Sequence, residues 1–275
     1  MNSEHKDIYF SHKKIKFDKK LVMSKPTIKV ESPQTLKKRW EKKKLNIGAL
    51  AHNIRSLRYN VTVDLKSDDE KTFMTALAVD LMDKTAERVG NDESASNGHF
   101  GITGLNKRHV SVDGNTVKLK YKGKSGVEHD KAITDAGLAE SVRKAIKISP
   151  TKYLLCTSDK FRINADRVNR YLAEYEITAK DIRGYSANKW IINKLKEVEP
   201  AEDEAKRKKQ FNEVAKKVAK KVGHGLPTLK KHYMIPELET NFISKGKVID
   251  MKRMGYYKHG GTVDKKRYKR FQEII

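Results

Sequence analysis

The sequence predicts an α+β fold, mostly helical with one small antiparallel sheet, and three observations carry that prediction. Apolar residues recur with helical spacing early in the chain and again over its second half. Between these stretches lie short runs that alternate apolar and polar residues or are rich in β-branched side chains, with glycine-bearing turns separating them. At 275 residues and 37% hydrophobic content, the chain can bury a sizeable core while keeping an unusually wet surface.

In chain order, the first clear element spans residues 68–88. Phe73, Leu77 and Leu81, with Met74, Ala78 and Met82 beside them, repeat every four positions, as a helix with one buried face requires. Arg88 is expected to close this helix, with Gly90 as its stop signal. The segments FGITGL, HVSV, TVKLKY and EHDKAI then read as strands, with turns at Asp113-Gly114-Asn115 and Gly123-Lys124-Ser125-Gly126. From Ala136 the pattern is helical again, broken near Pro150 and Pro200. Between Phe211 and Val222, apolar residues at 211, 214, 215, 218, 219 and 222 oppose Lys216, Lys217, Lys220 and Lys221, which predicts an amphipathic helix with a lysine face. No internal repeat or low-complexity block interrupts the body.

Charge narrows the function. Against 35 acidic residues stand 60 Lys and Arg, a formal net charge of +25. Such an excess calls for a polyanionic counterpart, nucleic acid or an anionic membrane surface. No apolar run approaches the roughly 18 to 20 residues of a spanning helix, and MNSEHKDIYF lacks a secretory apolar block. The expectation is a soluble, non-secreted protein, cytoplasmic or nucleoid-associated, with no membrane partner. Cys156 is the only cysteine, which excludes an intrachain disulfide and Cys-rich zinc sites. Residues 1–44, 45–243 and 244–275 carry net charges of +9, +9 and +7. The ends therefore read as basic arms, segments 1–35 and 244–275, around a body at 36–243. Such arms are either solvated tails or nucleic-acid contacts, and Tyr256, Tyr257, Tyr268 and Phe271 among the lysines favour the second.

Two familiar chemistries are absent. Gly123-Lys124-Ser125 resembles the end of a phosphate-binding loop, but that loop needs a glycine at 118, where Lys118 stands amid strand-like sequence. The histidines form no HExxH, and the acidic runs 68–70 and 202–204 have no histidine close by, so no metal and no cofactor is expected. What remains is a basic set on separate elements: Arg88, Lys124 at a hairpin tip, Arg183, His224 after Gly223, and Tyr233 nine residues beyond that histidine. Singly, each has an ordinary structural explanation such as a surface ion pair, a helix end or a packed ring. Their order and local context give them more weight.

Four blocks carry a family resemblance. They are Glu87-Arg88-Val89-Gly90-Asn91-Asp92-Glu93 with the segment 97–110 after it, Tyr121-Lys122-Gly123-Lys124-Ser125-Gly126 with Glu128-His129, Ile177-Thr178-Ala179-Lys180-Asp181-Ile182-Arg183, and Val222-Gly223-His224 through Lys231-His232-Tyr233. In this order, over roughly residues 36–243, they resemble the type IB DNA topoisomerases of bacteria and large DNA viruses. The resemblance implies the catalytic core shared by tyrosine recombinases and type IB topoisomerases, double-stranded DNA as partner, and a monomer acting without ATP or metal. It implies that Tyr233 attacks the scissile phosphate to give a 3′-phosphotyrosyl link. Arg88 and Arg183 would stabilise the phosphoryl oxygens, as planar guanidinium forks suit two oxygens at once. Lys124 would protonate the leaving 5′-oxygen, and His224 would donate a hydrogen bond to a non-bridging oxygen. Lys107, Arg108, Lys122 and Lys180, inside the same blocks, are expected to contact DNA.

Two alternatives share the pattern. A tyrosine recombinase or integrase uses the same chemistry, but its second arginine typically sits in a His-x-x-Arg box, whereas Lys180 stands three residues before Arg183, and the interval from Arg183 to His224 is long. A noncatalytic DNA-binding or packaging protein could keep the fold, against which stand intact candidates at all five positions. The chain also departs from the family pattern. The residues before Leu36 are too few and too charged for the usual β-rich clamp domain, which is expected to be absent or reduced to an arm. Ser94 stands where a DNA-contacting tyrosine is common, Gly104 where threonine is common, and Pro227 lies one residue late.

Overall fold

The computed structural model describes residues 33–251, in which nine α-helices precede and follow one three-stranded antiparallel sheet, much as predicted. Most of the two basic end segments lies outside the described residues. The first helix, α1 (Pro33–Asp64), packs on α2 (Glu70–Thr85) and on α6 (Ala179–Leu195). A carboxylate cap starts α2, where the Asp69 side chain accepts from Thr72 N at 2.8 Å.

The expectation of one buried face for α2 is corrected: every residue from Phe73 to Met82 is buried. The cause is tertiary, because α1, α6, α4 (Ala136–Ile148) and α5 (Ala165–Ala173) surround it. A helix covered on all sides shows no solvent face, and its large side chains contribute about 2 to 3 kcal/mol each by burial.

The stop is also corrected. The helix ends at Thr85 and is capped by Ala86 in the left-handed conformation at φ 55°, four residues before Gly90, whose own positive φ of 90° lies outside the helix. Arg88 therefore does not close the helix; it follows on a segment without regular secondary structure, ahead of the short helix α3 (Asp92–Ser96).

The sheet consists of β1 (Val110–Asp113), β2 (Thr116–Lys122) and β3 (Glu128–Thr134), in that order. Gly114 and Asn115 alone link Asp113 to its partner Thr116, with Gly114 at φ 51°. β2 buries Val117, Leu119 and Tyr121 and exposes Lys118, Lys120 and Lys122, the alternation of a half-covered strand.

FGITGL is not a strand. Ile102–Gly104 forms a buried 3-10 turn whose amides reach back to the Arg88 segment, Ile102 N to Arg88 O at 2.9 Å and Thr103 N to Val89 O at 2.8 Å. Those donors are thereby unavailable to a sheet ladder.

After α6 come α7 (Glu204–Val222), α8 (Leu226–His232) and α9 (Pro236–Lys245). In α7 the buried residues are Phe211, Val214, Ala215, Val218, Ala219 and Val222, and the four lysines lie outward, as the spacing predicts. The buried stripe meets α6 and α9. Among the described residues no helix is long and apolar enough to cross a membrane.

Candidate active site

Four local devices deliver the five candidate side chains to one place. Arg88 is carried by a segment strapped to residues 101–103, where Thr103 Oγ1 adds a bond to Val89 O at 2.9 Å. The backbones touch here: a β-carbon on Gly90 would stand 2.9 Å from Gly101 Cα, so neither glycine tolerates a side chain. Lys124 rides the β2–β3 loop, closed by Gly123 N to Val127 O at 2.7 Å, and is exposed at its tip as expected.

Arg183 lies within α6, whose first turn is fixed by Asp181 accepting from Thr178 N at 2.9 Å and Thr178 Oγ1 at 2.8 Å. His224 and Tyr233 flank α8. Gly223 ends α7 in the left-handed conformation at φ 78°, which turns His224 inward, and Tyr233 stands just past the last residue of α8. Pro227 falls in the first turn of α8, where a missing N–H removes no helical bond.

Arg88, Lys124, Lys180, Arg183 and Tyr233 line a cavity of about 300 Å³ together with Asn91, Ser94 and His99. A second cavity shares Arg88, Lys124, Lys180 and Tyr233 and adds His224 and His232. The His224 and Tyr233 rings stack at 4.9 Å, and the Arg183 guanidinium stands 5.3 Å from the Tyr233 ring centre. Burial and the charges of Arg183 and Arg88 push His224 down to about 4. It is therefore neutral at pH 7, with one N–H to donate.

Arg183 is almost wholly buried, at 2% exposure, so its charge needs compensation. Nη1 donates to Ala86 O at 2.7 Å and Nη2 to Val222 O, while Glu87 Oε2 lies 3.8 Å from Nη1. Nε–H has no partner among the described residues.

Glu87 is itself 2% exposed and is gripped by His129 Nδ1 at 2.8 Å and by the Lys131 ammonium. Burial works against its charge, but the His129 hydrogen bond and the Lys131 charge hold the carboxyl down at about 2. Tyr233 is latched through its backbone: Asn188 Nδ2 donates to Tyr233 O and Asn188 Oδ1 accepts from Ile235 N, both at 2.8 Å.

Of the residues expected to contact DNA, Lys180 is on the cleft rim. Lys107 is not brought there: its ammonium donates to the Ser149 carbonyl and its amide to Lys152 O. Arg108 and Lys122 are exposed but do not line the cleft. Sequence reading quoted Glu87 and His129 within its blocks without giving them a role, and it overlooked Asn188. Asn188 left a signal, a polar residue one helical turn after Gly184 on the stripe that also holds Ile191 and Ile192. Lys43 lines neither cavity but is near enough to Lys180 to feel its charge. Its half-buried ammonium lies 3.7 Å over the Trp40 ring, and burial together with Lys180 and Arg39 lowers it to about 7. Among the described residues no group of His, Cys, Asp and Glu is arranged to hold a metal ion.

The catalytic core of eukaryotic DNA topoisomerase I matches this chain over residues 33–247. The chain belongs to that family. The chain is 27% identical over 136 residues to DNA topoisomerase 1B of Acanthamoeba polyphaga mimivirus, a match covering 46% of this chain and 40% of that protein. The chain thus spans less than half the length of that relative. Among solved structures, the XerH site-specific recombinase bound to palindromic difH in a post-cleavage complex gives a TM-score of 0.46 at 12% identity, over 71% of this chain and 52% of that one. The XerH pre-cleavage complex with difH gives 0.43 at 13%, over 71% and 53%. Likenesses of that size decide neither fold nor reaction.

Proposed function

We propose that the chain is a type IB topoisomerase that relaxes supercoiled duplex DNA by transient single-strand cleavage, without ATP or metal. The observation that carries this reading is the convergence of Arg88, Lys124, Arg183, His224 and Tyr233, from separate segments, on one basic cleft. Family membership over most of the chain supports it. The Tyr233 oxygen bonds to phosphorus as the P–O5′ bond breaks; the phenol proton passes to solvent, and the Lys124 ammonium protonates the departing 5′-oxygen. The product is a 3′-phosphotyrosyl ester and a free 5′-hydroxyl. One phosphodiester has replaced another, so religation by the reverse steps needs no external energy.

Arg88 and the free Nε–H of Arg183 stabilise charge on the non-bridging oxygens, a task for donors fixed in advance in a water-poor site. Neutral His224 donates its single N–H to one of them. The broken strand swivels about the intact one before religation. The excess positive charge supports duplex DNA as the partner, bound by one copy of the chain. Lys180 on the rim, where a recombinase typically carries histidine, favours relaxation over strand exchange.

Plasmid relaxation in EDTA tests the reading. Wild type is expected to relax supercoils of both signs, and Tyr233→Phe to bind DNA without forming an adduct, since only the phenol oxygen is lost. Relaxation that stops in EDTA and returns with magnesium would overturn it, as would an adduct formed by Tyr233→Phe. Joining of two labelled duplexes by strand exchange would assign the site to recombination instead.

A further inference from the structure

Outside the five converging side chains, His129 on β3 is a tightly held buried group. Its ring is 4% exposed, stacks flat on Tyr121 at 4.9 Å and 3°, and is anchored through Nδ1 to Glu87. Two glycines press on its remaining edge. A β-carbon on Gly123 would overlap Nε2, and one on Gly223 would stand 2.6 Å from Cε1. Gly123 immediately precedes Lys124 and Gly223 immediately precedes His224. One imidazole is thus wedged between the loop that bears the lysine and the turn that bears the histidine. Its anchor Glu87 lies beside Arg183.

The glycines have different reasons to be glycine. Gly223 needs its left-handed φ of 78°, whatever surrounds it. Gly123 sits at φ −93° and ψ −166°, an extended conformation open to any residue, so only the His129 ring excludes a side chain there. Nε2 has no hydrogen-bond partner, so this edge of the ring serves as a contact surface.

We propose that His129 is a positioning residue: its imidazole is the spacer that sets Lys124, and opposite it His224, at working distance from the scissile phosphate. The proposal rests on the topoisomerase reading and deepens it. If the spacer fails, the general acid is displaced, and the loss falls on protonation of the leaving oxygen. A leaving sulfur tells this apart from general damage, because a thiol is far more acidic than an alcohol and departs without a proton donor.

The experiment uses the full chain. Adducts formed by wild type first locate a cleavage site. Duplexes with oxygen or sulfur at the bridging 5′ position of that site then compare wild type, His129→Ala, Gly123→Ala, the double variant and Lys124→Ala in single-turnover cleavage at saturating enzyme. His129→Ala and Gly123→Ala are each expected to slow cleavage of the oxygen substrate by roughly 10²-fold, the low end of a general acid's contribution. Sulfur should recover at least about tenfold of that loss, with Lys124→Ala defining full recovery. The double variant should outperform Gly123→Ala alone, because removing the ring makes room for the new methyl group. Gly123→Ala keeps the ring and its Glu87 bond, so it tests the same contact if His129→Ala does not fold. Equal losses on both substrates, or a double variant no better than Gly123→Ala, would overturn the spacer role and leave the topoisomerase reading intact. A wild type that forms no adduct on any duplex would overturn that reading and the spacer with it.

Discussion

Replacing Glu87 by glutamine removes one charge and almost no volume from the interior, which makes Glu87→Gln a sharp test of how the site is held. Its carboxyl stands at about 2 instead of 4.5. At roughly 1.4 kcal/mol per decade, the folded chain therefore favours the charged form over the neutral one by about 3 kcal/mol more than the unfolded chain does. Glutamine mimics the neutral acid, so Glu87→Gln should lose about 3 kcal/mol at pH 7, within the range for breaking a buried ion pair. The sign with pH follows from a depressed carboxyl: its stabilisation is present above 4.5 and is lost as pH falls toward 2. At pH 3.5 the unfolded carboxyl is mostly protonated and the folded one is not, which should narrow the gap between the proteins by roughly 1 kcal/mol. Urea unfolding of both proteins across pH 7 to 3.5 measures it. A difference below about 1 kcal/mol at pH 7, or one that does not narrow in acid, would refute the account of Glu87 as the counter-charge of this cluster.

Asn188→Ala should cost about 2 to 3 kcal/mol, because it orphans the buried Tyr233 carbonyl and Ile235 amide, and it should slow cleavage as the nucleophile loses its latch; denaturation with single-turnover cleavage measures both. His224, held at about 4 by burial and the two arginines, should stay neutral in the free protein from pH 8 to 5.5, and an imidazole NMR signal titrating near 6.5 would contradict this. Because that value is depressed, the unfolded chain takes up this proton first, so stability is full above 6.5 and declines as pH falls toward 4. Residues 1–32 and 252–275 carry 8 Lys and Arg each, so deleting both should flatten the slope of log affinity against log salt by several units, at roughly 0.9 per phosphate, with little change in cleavage at saturating DNA. The cut stops at 252 because Met251 is buried against the core, and an unchanged slope would mark these segments as solvated tails.

Features governed by near neighbours in the chain were legible in the sequence. The period of α7 named its six buried residues, since a helix places residues three and four apart on one face wherever it lies. The three strands and their glycine turns were legible for the same reason, because alternation and a two-residue turn are local properties. Order and context named Arg88, Lys124, Arg183, His224 and Tyr233 as candidates; that they share one cleft is a property of the packing.

Tertiary structure alone decided the rest. FGITGL has strand-like composition, yet its amides bond to the Arg88 segment, because a backbone donor takes whichever acceptor packing brings near. The burial of α2 on every side depends on four other helices, which its own period cannot reveal. Glu87 meets His129 across 42 positions and Asn188 meets Tyr233 across 45. Such pairings follow from the path of the whole chain, because a buried charge or amide is stable only where folding supplies its partner.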